Sequence, residues 1–113
     1  MLLKGLLITV LAIHWVADFV CQSRWMGCNK SKSLKILGYH TLLYTMILTA
    51  VTSMLCIPLW YGLVNGVLHG AIDYKSSKVT SKLWDLGEDH NFWVVIGLDQ
   101  LVHVSLLVLL LPV

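Results

Sequence analysis

Apolar and polar positions fall into long blocks along this chain. Mostly apolar stretches cover about residues 2–22, 36–57, 59–73 and 92–111. A helix that crosses the hydrocarbon core needs about 20 mostly apolar residues, with a range of about 17–25. Three blocks meet that length and the third is short. Pro58 leaves almost no linker between the second and third blocks, which predicts a tight helical hairpin. Pro112 follows the fourth block. Polar stretches at about 23–35 and 74–91 are the two real loops. The pattern predicts an all-α integral membrane four-helix bundle with a short third span, forming one transmembrane domain over residues 1–113.

The loops carry the charge that orients the bundle. Arg24, Lys30, Lys32 and Lys35 lie in the first loop and Lys75, Lys78 and Lys82 in the second, so Lys4 is the one exception among eight basic residues. Four spans put both loops on one side. The positive-inside rule makes that side cytoplasmic and places both termini on the non-cytoplasmic side. Three spans would split the basic loops across the bilayer, so the charge pattern supports the short third span. Lys4 and the run after it also fit the start of a signal peptide, but His14, Trp15 and Asp18 stand where a small-residue cleavage site would be. Within the second loop Val79, Leu83 and Leu86 share helical spacing, with Trp84 beside them. That spacing suits a short helix in the membrane interface, and an ordinary solvated loop fits equally well.

Composition sharpens the membrane reading. The 113 residues are 58% apolar and 12% charged, with a mean hydropathy of +0.78. Soluble domains are about 45–50% apolar and about 25% charged. The length suits one compact unit. A water-soluble enzyme, a disordered tail and a nucleic-acid binder are disfavoured; the expected partner is the lipid bilayer, with no nucleic acid. Cys21, Cys28 and Cys56 form no even-numbered framework and no C-x-x-C pair. Cys21 lies near the helix face of Asp18, and the bland reading of all three is reduced thiols.

The polar residues inside the spans are the informative exceptions, because an intramembrane charge costs about 2.5–3.5 kcal/mol on insertion scales and usually marks function. His14 and Asp18 are four residues apart, with Gln22 four further on. Asn65, His69 and Asp73 repeat that step, and so do Asp99 and His103; the second span presents His40, with Tyr44 four residues later. Residues four apart share one helix face. At a rise of about 1.5 Å per residue, Asp18, His40 and His69 lie about 7–8 Å below the cytoplasmic boundary and Asp99 about 10 Å. His14 and His103 sit one turn deeper, and Asp73 is at the boundary. Consecutive spans run in opposite directions, so nothing in chain order forces this agreement. The seven groups are expected to converge in the cytoplasmic half of the bundle.

Gly62, Gly66 and Gly70 form a small-xxx-small stripe about 100° around the helix from the polar stripe. It lets another helix approach closely, either within the chain or in a homodimer. Thr41, Thr45, Thr49 and Ser53 step by four along the second span and read as interhelical glue.

Histidine and aspartate on facing helices are ligand types for divalent metals, zinc foremost. Four span histidines and three aspartates exceed one site's needs. The surplus suits two metals, or one metal with carboxylates orienting the imidazoles. The reaction inferred is metal-assisted hydrolysis of an ester or phosphoester at the headgroup level, with Asp18 or Asp99 as general base. Three other readings stay open: a proton- or cation-coupled transporter, interhelical locks without turnover, and a small pore-forming or accessory membrane protein. His90, beside Glu88 and Asp89, reads as solvated.

The residues His14-Trp15-Val16-Ala17-Asp18-Phe19 with Gln22, then Asn29-Lys30, His40, Ile72-Asp73-Tyr74 with Lys75, and Asp99-Gln100 with His103 resemble a known family. It comprises small multi-pass membrane proteins of bacteria and phages, catalogued as domain of unknown function 3307. The H-x-x-x-D-F-x-x-Q and D-Q-x-x-H pieces are its most specific parts. The resemblance implies that His14, Asp18, Gln22, Lys30, His40, Asp73, Asp99, Gln100 and His103 are family-type positions, and that the membrane is a bacterial-type inner membrane. It implies no activity. The chain is more loosely similar to membrane-bound proteins called metal-dependent hydrolases. Asn65 and Cys21 belong to neither pattern.

Overall fold

The computed structural model describes residues 2–113 and is helical throughout, with no strand among the described residues. Helix α1 covers Leu3–Trp15 and continues as a π-helical turn, Val16–Val20. Helix α2 (Arg24–Asn29) is short, and α3 (Leu34–Met54), α4 (Leu59–Asp85) and α5 (Asp89–Leu109) are long. Ser23 and Ser33 cap α2 and α3, accepting from the backbone N–H of Met26 and Ile36, as N-cap serines do. Helix α4 packs between α3 and α5, and α1 touches both α3 and α5.

Both hairpins close in the same way. After α3, Ile57 N–H bonds Thr52 O and Cys56 N–H bonds Ser53 O, each at 3.0 Å. After α4, Glu88 N–H bonds Leu83 O at 2.9 Å and Gly87 N–H bonds Trp84 O at 3.0 Å. These paired bonds are Schellman motifs, which need a left-handed residue just past the helix. Gly87 (φ 72°) supplies it freely, whereas Cys56 (φ 63°) adopts it despite its Cβ. The residues after 73 expected to form a loop instead extend α4 to Asp85 and leave only Leu86–Glu88 before α5. At 1.5 Å per residue, the 27 residues of α4 reach about 40 Å.

Three helical segments are long and apolar enough to cross a membrane: Leu3–Val20, Leu34–Met54 and Asp89–Leu109. Helix α4 is not among them, since its second half carries Asp73, Lys75, Lys78, Lys82 and Asp85. The molecule carries apolar side chains outside and a cluster of polar ones inside. Ile8, Leu42, Met46, Val67, Leu98 and Leu101 are exposed, whereas His40, His69, His103, Asp18 and Asp73 are buried. Apolar exposure on this scale marks a surface made for something other than water.

The glycine stripe of α4 serves the packing of α3 against α4. A side chain at Gly62, Gly66 or Gly70 would collide with Thr49, Thr45 or Thr41 of α3. The stripe is thus filled within the chain, and self-association of the chain would need another surface. The hydroxyls do not bond across the seam: Thr45 and Ser53 donate to Thr41 O and Thr49 O of their own helix.

Candidate metal centre

The helices turn their polar steps inward on the side toward α2, with Asp73 near the middle of α4. Asp18 lies in the π turn, where Cys21 N–H bonds Val16 O at 2.9 Å. Turns of this kind recur at functional sites. Here the wider turn buries Ala17 and Asp18 side by side.

Four buried side chains from three segments, the π turn, α3 and α4, bring one atom each to a common point: Asp18 Oδ1, His40 Nε2, His69 Nε2 and Asp73 Oδ2. His40 Nε2 is 3.1 Å from Asp18 Oδ1, 3.1 Å from His69 Nε2 and 3.2 Å from Asp73 Oδ2. His69 Nε2 is 3.4 Å from each of the two carboxylate oxygens. A tetrahedral ion with bonds of about 2.0–2.1 Å has ligand–ligand edges of about 3.3–3.4 Å. Five of the six edges here measure 3.1–3.4 Å. The sixth, between the carboxylates, is within 4.8 Å. Nδ1, on the other side of each ring, has no hydrogen-bond partner in His40 or His69. The donor set, two imidazoles and two carboxylates, is one that zinc and its neighbours accept.

Asp73 also faces a second group. Its Oδ1 is 3.2 Å from His103 Nε2, which is 3.3 Å from Asp99 Oδ1. Asp73, Asp99 and His103 can likewise offer atoms within 4.8 Å of one another. Ser76 donates to Asp99 Oδ1 at 2.6 Å. Gln100 ties the groups together: its Nε2 donates to Asp18 Oδ2 at 3.2 Å and Asp99 Oδ2 at 3.0 Å.

His14 belongs to neither group. Its Nε2 donates to Gln100 Oε1 at 3.0 Å, which leaves Nδ1 to accept from the Tyr44 hydroxyl at 2.7 Å. With both nitrogens engaged, the ring lies 3.9 Å from Asp18. The Tyr44 ring stacks flat on His69, with centroids 3.8 Å apart and an interplanar angle of 3°. His14 therefore fixes the tyrosine that flanks a candidate ligand. Asn65 also stands apart from the cluster and donates to Tyr61 O within α4.

Lys30 reaches in from the residues after α2. Its ammonium donates to Asp73 Oδ2 at 3.0 Å and Gln22 Oε1 at 3.2 Å. Gly27 makes room for Gln22, since a Cβ there would stand 2.9 Å from Gln22 Nε2. A cavity of about 650 Å³ opens beside the cluster, bounded by Asp18, Asp99 and Gln100 with Lys30, Trp84 and Phe92 among its walls. Toward the other end of the helices the interior is apolar: Val10, Leu48, Tyr61, Leu107 and Leu111 pack into one cluster with Tyr44.

The model of the family described as Protein of unknown function (DUF3307) matches residues 6–113. The chain belongs to that family. No curated protein and no solved structure matches it. Of the span residues singled out in the sequence, the structure brings Asp18, His40, His69, Asp73, Asp99 and His103 into the two groups and sets His14 beside them. In the sequence Tyr44 carries only its four-residue spacing from His40, and Ser76 carries no signal as a site residue. A serine three residues after Asp73 gives no signal of its own, because its partner Asp99 belongs to another helix.

Proposed function

We propose that this protein is an integral protein of a bacterial-type inner membrane that binds a divalent cation, zinc best suiting the donors, at Asp18, His40, His69 and Asp73. In this reading the first part of α4 is the short third span, both termini lie on the non-cytoplasmic side, and the cluster sits at the cytoplasmic headgroup level. Trp25, Trp84 and Trp93 are exposed at the loop end and Trp60 at the other, as interfacial anchors would be. The observation that carries the metal reading is the set of five ligand–ligand edges at 3.1–3.4 Å.

The activity we propose is hydrolysis of an ester admitted through the cavity. Asp18 and Asp99 face that cavity and are the candidates for accepting a proton from water. The buried histidines and aspartates would also suit a proton or cation pathway. The buried apolar cluster toward the other end favours a site reached from one side over a path across the membrane.

The test is elemental analysis of detergent-purified protein prepared without chelator, comparing wild type with Asp18→Asn and His69→Ala. Wild type is expected to carry metal in at least one-to-one ratio, and His69→Ala to lose it while staying folded. A metal-free wild type that cannot be reloaded with zinc would sink the reading.

A further inference from the structure

Four protein ligands close the first group, yet Asp73 Oδ1, Asp99 Oδ1 and His103 Nε2 remain outside it. The two edges at His103, 3.2 Å and 3.3 Å, are again those of ligands around one small ion. Here the chain supplies three ligands. Of the three, Asp99 lines the cavity, so a fourth ligand would arrive from the cavity past Asp99. Three protein ligands with an open position is the pattern of catalytic metal sites, and four is that of structural ones. Ser76 and Gln100 hold the Asp99 carboxylate through both oxygens, as groups around metal-binding carboxylates do.

Charge then decides what the open position takes. Asp18, Asp73 and Asp99 bring three negative charges, and Lys30, on Asp73 Oδ2, brings one positive. One divalent cation cancels the remainder. A second leaves two surplus positive charges in a largely buried site, and an uncompensated buried charge is expensive. Its ligand from the cavity must therefore be an anion. A hydroxide formed from bound water supplies one negative charge and a phosphate monoester up to about two; a carboxylic ester, being neutral, supplies none.

We propose that the chain holds two divalent cations bridged by the Asp73 carboxylate. The closed position is Asp18, His40, His69 and Asp73 Oδ2; the open one is Asp73 Oδ1, Asp99 and His103, and its substrate is a phosphoester. This rests on the metal reading above and adds a second ion and a substrate class to it. The open ion would polarise a phosphoryl oxygen or supply an activated water, and the closed ion would hold the shared Asp73 carboxylate in place. The reaction needs only water: a bond forms from the water oxygen to phosphorus, the bond from phosphorus to the alcohol oxygen breaks, and a water proton ends on the released alcohol.

The experiment loads wild type, Asp99→Asn and His103→Gln with zinc or manganese in detergent, with folding checked by thermal melts, and counts metal per chain with and without inorganic phosphate. Two per wild-type chain and one in either variant, with phosphate tightening only the second, supports the proposal. One per chain in all three overturns it and leaves the four-ligand centre standing; none in any chain overturns that centre as well. Substrate class is read with phosphatidate in mixed micelles, nitrophenyl phosphate and nitrophenyl acetate. Cleavage of either phosphate, reduced in Asp99→Asn, supports the assignment; the micellar arm alone points to a lipid headgroup, and the soluble arm to a free phosphoester. Cleavage of the acetate alone overturns it.

Discussion

The same helices build two unlike interiors. Toward the α2 end, α1 with its π turn, α3, α4 and α5 contribute His14, Asp18, His40, His69, Asp73 and His103, all buried. Toward the chain termini they contribute Val10, Leu48, Tyr61, Leu107 and Leu111. Tyr44 stands between, its ring in the apolar cluster and stacked on His69, its hydroxyl on His14. Buried apolar groups need only shape, whereas each buried polar group needs a partner. The polar half consequently depends on directed partners, and the apolar half on close packing. A division of this kind suits a site reached from one end and backed by a dry plug.

The sharpest break between the ends is topological. Cys28 and Cys56 are exposed, one in α2 and the other in the turn after α3. In the proposed orientation, a membrane-impermeant maleimide added to intact cells labels a chain retaining only Cys56. A chain retaining only Cys28 is labelled only after permeabilisation. The reverse pattern would invert the orientation. Labelling of both from outside would refute the placement of α3 as a span.

Next in size is a cavity in the dry half. Leu48 is fully buried, so Leu48→Ala is expected to cost about 2–5 kcal/mol, read as a lower melting temperature in detergent. Its metal content per folded chain should match wild type, because Leu48 lies about two helical turns from His40 along α3. Metal lost from folded Leu48→Ala protein would show that the two halves act as one unit.

How much of this division was legible beforehand follows from distance along the chain. The helical blocks could be read because long apolar runs impose a span whatever packs beside them. The stripes of His69 with Asp73 and of Asp99 with His103 could be read because a four-residue step is a property of one helix; those pairs indeed stand 3.4 Å and 3.3 Å apart. Depth counting brought Asp18, His40 and His69 to one level, and their atoms meet. What could not be read was anything that depends on how a helix is wound or turned toward its neighbour. The π turn moves Asp18 relative to His14, which gives His14 to Gln100 and Tyr44. The charged residues after Asp73 suggested a loop, but they extend α4, because charge alone does not break a helix and residues 74–86 contain neither Gly nor Pro. The glycine stripe was visible, but its choice of α3 depends on threonines that match it from another helix.

The smallest and most discriminating test is made at the boundary itself. Tyr44→Phe keeps the ring on His69 and removes only the hydroxyl that donates to His14 Nδ1. That nitrogen is then buried without a partner, at a cost of about 1–3 kcal/mol, less than Leu48→Ala at its upper end. His14 still donates to Gln100, and Gln100 still donates to Asp18, so the candidate ligands keep their partners and metal is retained. Tyr44→Leu removes the stack as well and frees the His69 ring to tilt. Its metal affinity is expected to fall about 10–100-fold, the usual loss when a group that orients a ligand is removed. Competition against a graded series of chelators measures both variants. If Tyr44→Phe loses metal as completely as His69→Ala, the hydroxyl belongs to the polar centre rather than to its border. The line between the halves would then have to be drawn one turn further into the apolar cluster.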